Sequence, residues 1–463
     1  MDQTNLFHAK AQSRKDNPTE TSLGFLAPLP LCVIALFVLL VVPAIPAQEV
    51  ADIVKVRTRV VFIDALVKDK HTGININDLS ADNFEVLDDG QPRKISYFAR
   101  EGQARKPLAL ILILDLRDDG AGRFLKREEV RKSMLDELAK LPEGDEVAIL
   151  AVNMNSVDDK TAAIRNGKAL WLTEFTRDRA QLEAALARVP LLIAPAHEPS
   201  KTDPPKDEKP AQQSGDSVTI KSDPDESKKT DQAKAKPDGN VLETETIKGK
   251  NGAVITRTTR KDGTVDVKRV SCNGNVTVQL DDFYDMAGAT RDATRLAGSK
   301  RPNSQAAIVW LSDGIAPIFR EDRDATAQIL ARQNTIFNSL TVDMRTLYKF
   351  LLPLGQPLIG WTGISLAGSA KRLAQESGGE AVHVSRVRDY GTGLARIIGN
   401  LTSRYNLGFA LSEDERDDGR MHQLDLRVKA LDAKGKQRKL DVSARRGYYT
   451  PKSDADQSSA AVK

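Results

Sequence analysis

A chain of 463 residues that is 40% hydrophobic buries a full core yet exceeds the size of one compact domain, so two folded parts and some disorder are expected. Basic residues outnumber acidic ones only by 68 to 64 and aromatics make up 5%, which argues against a nucleic-acid surface with stacking platforms. Cys32 and Cys272 lie far apart and His8, His71, His197, His383 and His422 are scattered, so neither a disulfide framework nor a zinc cluster is read from them.

Residues 1–22 form a polar N-terminal region. Leu31 to Val42 is apolar throughout and is followed by Pro43-Ala44-Ile45-Pro46-Ala47-Gln48, the order of a secretory apolar core and a small-residue cleavage site after Ala47 or Ala44. The segment 23–47 is therefore read as a signal peptide or a membrane anchor. Extended back to Leu23, the apolar run approaches the roughly 20 residues that a bilayer span needs, so 23–45 would be the anchoring part. Either way the chain is expected to be exported, to a periplasmic or extracellular site or to the membrane itself.

The N-terminal β region, 51–105, starts with a long half-buried strand from Val54 to Val67 whose apolar phase shifts as at a bulge. In FEVLDDGQPRKISYF, Asp89-Gly90 separates two short strands and signals a hairpin. Some four strands are too few for an independent sandwich.

A central α/β domain is expected in two parts, 106–196 and 276–400. Leu108 to Leu114 is seven apolar residues ending on Asp115, the pattern of a strand buried on both faces that delivers an acid to the carboxyl edge of a parallel sheet. Phe124, Val130, Met134, Leu135, Leu138 and Leu141 then mark one face of a helix over Arg123 to Leu141. Strands at Val147–Val152 and Ala169–Phe175 follow, with a helix from Asp178 to Val189 capped by Thr176. Residues 197–240, rich in Lys, Asp, Glu, Pro and Ser, are read as a disordered charged insertion. In 241–275, Asn251-Gly252, Asp262-Gly263 and Asn273-Gly274 recur every 11 residues and give a β-meander with polar faces projecting from the domain, with disorder as the alternative.

The α/β pattern resumes with a helix from Leu280 to Ala297, a buried strand Ala306–Leu311 ending in Ser312-Asp313-Gly314, a helix from Arg323 to Leu340 and a strand Val342–Tyr348. A last unit has a helix Ser369–Ser377, a strand Ala381–Val384 and a helix Gly391–Arg404. The C-terminal β region, 401–450, carries a strand at His422–Ala430 and a second over Lys439–Tyr449; 451–463 is a flexible tail. The fold class is thus α/β, a doubly wound, mainly parallel sheet flanked by a β-sandwich-like unit that the N- and C-terminal strands build together.

The order of these parts resembles the von Willebrand factor A domain, and more closely the bacterial VWFA-related domain proteins. The resemblance is carried by DNFEVLDDGQPRKISYF, LALILILDL, AAIVWLSDG, LAQESGGEAVHV with RYNLGFALSE, and ARRGYY. It implies a Rossmann-like sheet with a metal-dependent adhesion site in which Asp-x-Ser-x-Ser, a Thr from a later loop and an Asp after the fourth strand hold Mg²⁺. Here the first pattern reads Asp115-Leu116-Arg117-Asp118-Asp119, and the place of the Thr falls to Thr277 or, by the more natural match, to Asp281. A divalent ion about 4 Å from Arg117 would be repelled by roughly 8 kcal/mol at an effective dielectric near 20.

The site is accordingly read as degenerate and metal-free, with the Arg117 guanidinium between Asp115 and Asp313. The competing reading is a rebuilt cation site of Asp115, Asp118, Asp119 and Asp313, taking Ca²⁺ or Mg²⁺. Asp115, Arg117, Asp118, Asp119 and Asp313 form the expected partner-binding edge. The function expected is an exported, non-enzymatic protein-binding module acting on a protein partner at the cell envelope, with no nucleic acid. The alternatives are a structural or scaffolding envelope protein without a metal site, and a hydrolase. Gly363-Ile364-Ser365-Leu366-Ala367 lacks the second Gly that a serine-hydrolase elbow requires.

Overall fold

A computed structural model describes residues 59–450 apart from 101–104, 118–119, 153–168, 194–220, 224–238, 262–264, 273, 280–285, 315–317, 343–363, 366–367, 387, 413–414 and 416–417. The apolar segment 23–47 and the tail 451–463 lie outside them. Among the described residues no helix is long and apolar enough to cross a membrane.

The N-terminal part supplies β1 (Val60–Asp69), β2 (Phe84–Asp88), β3 (Gln91–Arg93) and β4 (Tyr97–Ala99). Asp89 and Gly90 turn β2 into β3 with φ of 48° and 81°, the paired left-handed conformation of a two-residue hairpin. Then come β5 (Leu108–Asp115), α1 (Gly122–Leu125), α2 (Glu128–Leu138), β6 (Glu146–Val152), β7 (Ala169–Thr176) and α3 (Arg179–Leu192). The single helix expected over Arg123–Leu141 is two, because Arg127 is extended and restarts the helix as α2. Asp178 rather than Thr176 caps α3, its carboxylate accepting from the Ala180 N–H at 2.9 Å.

The insertion holds β8 (Lys221–Asp223), β9 (Val241–Lys248), β10 (Val254–Arg260), β11 (Val265–Ser271) and β12 (Gly274–Gln279) in one antiparallel sheet, ordered β8-β12-β11-β10-β9. Lys221–Asp223 thus lies in a strand, within the stretch read as disordered. The chain continues through α4 (Met286–Lys300), β13 (Gln305–Ser312), β14 (Ile318–Phe319), α5 (Arg320–Arg332), β15 (Ile336–Val342), β16 (Ile364–Ser365), α6 (Ser369–Ser377), β17 (Ala381–Val384) and α7 (Asp389–Thr402). It ends with β18 (Tyr405–Ala410), β19 (Met421–Val428), β20 (Leu440–Ser443) and β21 (Gly447–Tyr449). The helix expected to reach Leu340 stops at Arg332 and the fifth strand of the core is Ile336–Val342, while the strand expected over Val342–Tyr348 lies, beyond Val342, outside the described residues.

The central sheet is ordered β17-β15-β13-β5-β6-β7, all parallel except β7, which runs antiparallel to β6. Numbered along the chain within this sheet, the order is 3-2-1-4-5-6, so the reversal falls between β5 and β13. Every residue of β5 is buried because helices cover both faces: α2, α3 and α7 on one side, α4 and α6 on the other. Burial of each Leu or Ile there contributes about 1.5–3 kcal/mol.

Gly379 leads the chain from α6 towards β17 in space that admits no side chain, since a Cβ there would stand 2.0 Å from the Phe337 carbonyl oxygen. The Gly379→Ala variant is expected to lose about 1–3 kcal/mol, read as a lower urea midpoint at unchanged slope.

The terminal strands build a sandwich of two four-stranded sheets, β20-β1-β18-β4 and β21-β19-β2-β3. Its core joins Ile63, Val67, Phe84 and Val86 to Tyr405, Leu407, Phe409, Leu424 and Tyr448. The strand expected over Lys439–Tyr449 is two, β20 beside β1 and β21 beside β19, so the chain crosses between the sheets at Ala444-Arg445-Arg446. Buried Arg404 ties this sandwich to the central sheet, donating to the Asp64 carbonyl at 3.2 Å and to the Gly378 carbonyl at 2.8 Å.

The meander does not simply project. Its inward face carries Ile255, Val265 and Val267, which pack with Phe319 and Ile364, and also Arg257 and Arg269. Arg269 meets Glu321 at 2.9 Å, while Asp322 takes Arg257 and, at 2.6 Å, Arg291 of α4. Arg291 also reaches Glu245 of β9 at 2.7 Å. Glu321 and Asp322 sit in the first turn of α5, where the helix dipole favours acids, and the arginine stems supply apolar cover for the sheet.

Candidate functional site

The carboxyl ends of β5 and β13 lie side by side at the reversal of strand order, where open α/β sheets leave a crevice for ligands. β5 ends on Asp115 and β13 on Ser312, so the sheet register delivers Asp115 and Asp313 to one edge. Both carboxylates are almost fully buried, at 0% and 2% side-chain exposure. Carboxylates at that depth require a partner.

Arg117 supplies it. Its Nη2 donates to Asp313 Oδ1 at 2.7 Å and to Asp115 Oδ2 at 3.2 Å, while its Nε and backbone N–H both approach Asp115 Oδ1 at 3.3 Å. The guanidinium therefore lies between the two acids. Ser312 Oγ donates to Asp115 Oδ2 at 2.8 Å and accepts from the Gly314 N–H at 3.2 Å. Gly120 closes the loop tightly over this group, since a Cβ there would stand 2.8 Å from Asp313 Oδ2.

The sheet has thus brought together Asp115, Arg117 and Asp313 from positions nearly 200 apart. Asp118, Asp119 and Asp281 lie outside the described residues. Thr277 is in β12 of the meander, opposite Lys268. Two residues at the site had no part in the sequence reading. Ser312 was visible in the Ser-Asp-Gly ending of its strand. Tyr390, buried near the start of α7, carries no local signal, and only the topology places it near the acids. Burial, then the charges of Asp115 and Asp313, push its phenol well above its ordinary value, so it stays neutral; its hydroxyl has no hydrogen-bond partner among the described residues.

The doubly wound six-stranded sheet, with an acid closing its first and fourth strands, is the arrangement that the resemblance implied. The fold is von Willebrand A-like. Neither a family profile nor a curated protein matches the sequence. Among solved structures, the chain is similar to a von Willebrand factor type A protein from Catenulispora acidiphila, at 10% identity over 81% of this chain and 74% of that one, with a TM-score of 0.31. It is similar to the pilus adhesin SpaC of Lactobacillus rhamnosus GG in its open conformation, at 7% identity over 79% and 47%, with a TM-score of 0.33. It is also similar to the human COPII-coat protein Sec24c, at 10% identity over 78% and 49%, with a TM-score of 0.30. The chain spans about half the length of the Sec24c and SpaC chains. At these scores the strand order and the acid-lined edge, not the superpositions, define the fold.

In a von Willebrand A-like sheet the edge at Asp115 and Asp313 is where Mg²⁺ would be held, and the described residues do not fit that ion. Neutral hydroxyl ligands would leave room and charge for a cation, whereas here a guanidinium fills the interval and hydrogen-bonds both acids. Among these three side chains two carboxylates face one guanidinium, and Arg123 also acts on the Tyr390 phenol that Asp115 and Asp313 reach. A hydroxyl–imidazole contact stands further along the sheet, Thr341 Oγ1 to His383 Nδ1 at 2.6 Å, but among the described residues no carboxylate hydrogen-bonds that ring to orient it as a base.

Proposed function

We propose that this chain is an exported, non-enzymatic protein-binding module whose carboxyl edge, Asp115, Arg117 and Asp313 continued by Asp118 and Asp119, engages a protein partner at the cell envelope without a metal ion. The observation that carries this reading is the guanidinium lodged between Asp115 and Asp313, which puts a fixed charge where a replaceable ion would stand, while the sequence adds the acids Asp118 and Asp119 directly after it. An acidic edge at a sheet's switch point favours a basic side chain on the partner. Export is supported by the apolar run Leu31 to Val42 and the small residues after it.

Asp313→Asn keeps the shape of the edge and removes one charge. In pull-downs from envelope extracts, the wild-type chain is expected to retain a partner that Asp313→Asn loses. The second reading, a scaffold whose contacts are made by its β parts, is favoured by the size of the sandwich and by the buried ion pairs that fasten the meander. A partner held equally by both proteins establishes that reading and overturns the first.

A further inference from the structure

A second cluster of acids lies in the sandwich and not in the central sheet, and it includes a histidine that looked isolated in the sequence. Asp88 closes β2, Asp89 is the left-handed first residue of the hairpin turn, and His422 is on β19, where Leu424 pairs with Asp88. Asp88 Oδ1, Asp89 Oδ2 and His422 Nδ1 converge: Nδ1 is 3.0 Å from Asp89 Oδ2 and 3.9 Å from Asp88 Oδ1, with all three residues' ligand atoms within 4.8 Å of one another. Two ligands of a tetrahedral ion at metal–ligand distances near 2 Å stand about 3.3 Å apart, so this spacing brackets that of a bound first-row metal.

The second observation is Asp88 itself. Its side chain is 1% exposed; Oδ2 receives Arg93 at 2.8 Å and the Tyr448 hydroxyl at 3.0 Å, while Oδ1 has no hydrogen-bond partner among the described residues. A buried carboxylate oxygen without a donor costs stability unless a cation meets it. The other groups of the cluster are fixed as well, with Arg420, paired to Asp418, standing 3.9 Å from Asp89 Oδ2. The Gln423 N–H fixes Asp89 Oδ1 at 2.8 Å and leaves Oδ2 towards the ring. Tyr448 stacks on the imidazole with centroids 5.0 Å apart. Asp418 Oδ1 faces His422 Nε2 at 3.4 Å, the outer carboxylate that metal-binding histidines usually have behind them.

Both nitrogens of His422 therefore face carboxylates, although a neutral ring has only one N–H. An imidazolium would satisfy Asp89 and Asp418 yet still leave Asp88 Oδ1 unmet, whereas an ion at Nδ1 serves both Asp88 and Asp89. We infer that Asp88, Asp89 and His422 form a binding site for a divalent first-row metal ion of the Zn²⁺ type, since one imidazole with two carboxylates suits such an ion better than Mg²⁺. This inference is independent of the reading given for the carboxyl edge.

The test is metal titration of the full chain after chelation and dialysis, with Zn²⁺ followed by calorimetry and Co²⁺ by its visible absorption. One saturable equivalent is expected, unaffected by Asp313→Asn. His422→Gln and Asp89→Asn should each weaken it by at least about tenfold, and Asp418→Asn by about 10- to 100-fold through the ring it orients. Asp89→Asn retains an acceptor for the Gln423 N–H and tolerates a positive φ, so it reports on the ligand and not on folding. Absence of saturable uptake, or uptake unchanged in both His422→Gln and Asp89→Asn, would show that these residues hold no ion and would overturn the inference.

Discussion

Replacing Arg117 by Met is expected to lower the stability of the chain by about 3–5 kcal/mol, the usual cost of stranding one partner of a buried ion pair. The side chains are of similar length, so packing changes little, but Asp115 and Asp313 lose the donor that both share. Chemical denaturation of the two proteins measures the loss directly. By the same geometry, wild-type stability is expected to be indifferent to Mg²⁺ and Ca²⁺. Arg117→Ser combined with Asp119→Ser restores the hydroxyl pattern of the resembling family and frees the two acids, so its melting temperature should rise saturably with Mg²⁺. Such binding adds about 2.7 kcal/mol when the ion is present at a hundred times its dissociation constant. Saturable stabilisation of the wild-type edge by sub-millimolar Mg²⁺ or Ca²⁺, lost in Asp313→Asn, would sink the metal-free reading.

The second large effect is expected at Asp322→Ala. This one carboxylate receives Arg257 from the meander and Arg291 from α4, and both arginines are buried. Its removal takes the shared carboxylate from both buried arginines, so a loss of about 3–5 kcal/mol is expected, concentrated where the meander meets α5. Limited proteolysis within 241–279, faster than in wild type while the central sheet stays protected, is the readout. Acid acts on the neighbouring pair in the same direction. Burial raises the Glu321 carboxyl, but hydrogen bonds from Arg269, its own backbone and Asn251 outweigh that and hold it below its ordinary value. Its contribution is therefore complete above the usual carboxylate range and is lost as pH falls through the lowered value. Uniform destabilisation with no local proteolysis would refute the clamp.

The parts of the fold legible in the sequence were those in which burial is continuous or alternation is regular. β5 announced itself with seven apolar residues, and the sandwich followed from strands too few at either end to stand alone. β15 was missed because IFNSLTV hides a central strand behind three buried polar residues, Asn338, Ser339 and Thr341. Asn338 is tolerated there since it donates to the Ile308 carbonyl and accepts from the Glu380 N–H, partners that exist only in the folded sheet. Arg257 and Arg269 read as solvent-facing for the same reason: their acids lie on α5, beyond the reach of any local pattern. Asp115, Asp313 and Arg117 could be named because strand endings and a resembling motif mark them, whereas His422 gave no sign of Asp88 across more than 330 positions.

The placement of β1 between β18 and β20 also sets an order of events during synthesis. Val60 pairs with Ala410 and Val67 with Val442, so β1 has neither neighbour until nearly the whole chain has been made. At 5–20 residues per second that interval is about 20–70 s, ample for the central sheet to form first. Throughout it the nascent strand carries Val61, Ile63, Ala65 and Val67 with both edges unpaired, a template for the wrong partner. The sandwich thus closes around β1 only after β17, the last strand of the central sheet in chain order, has been made.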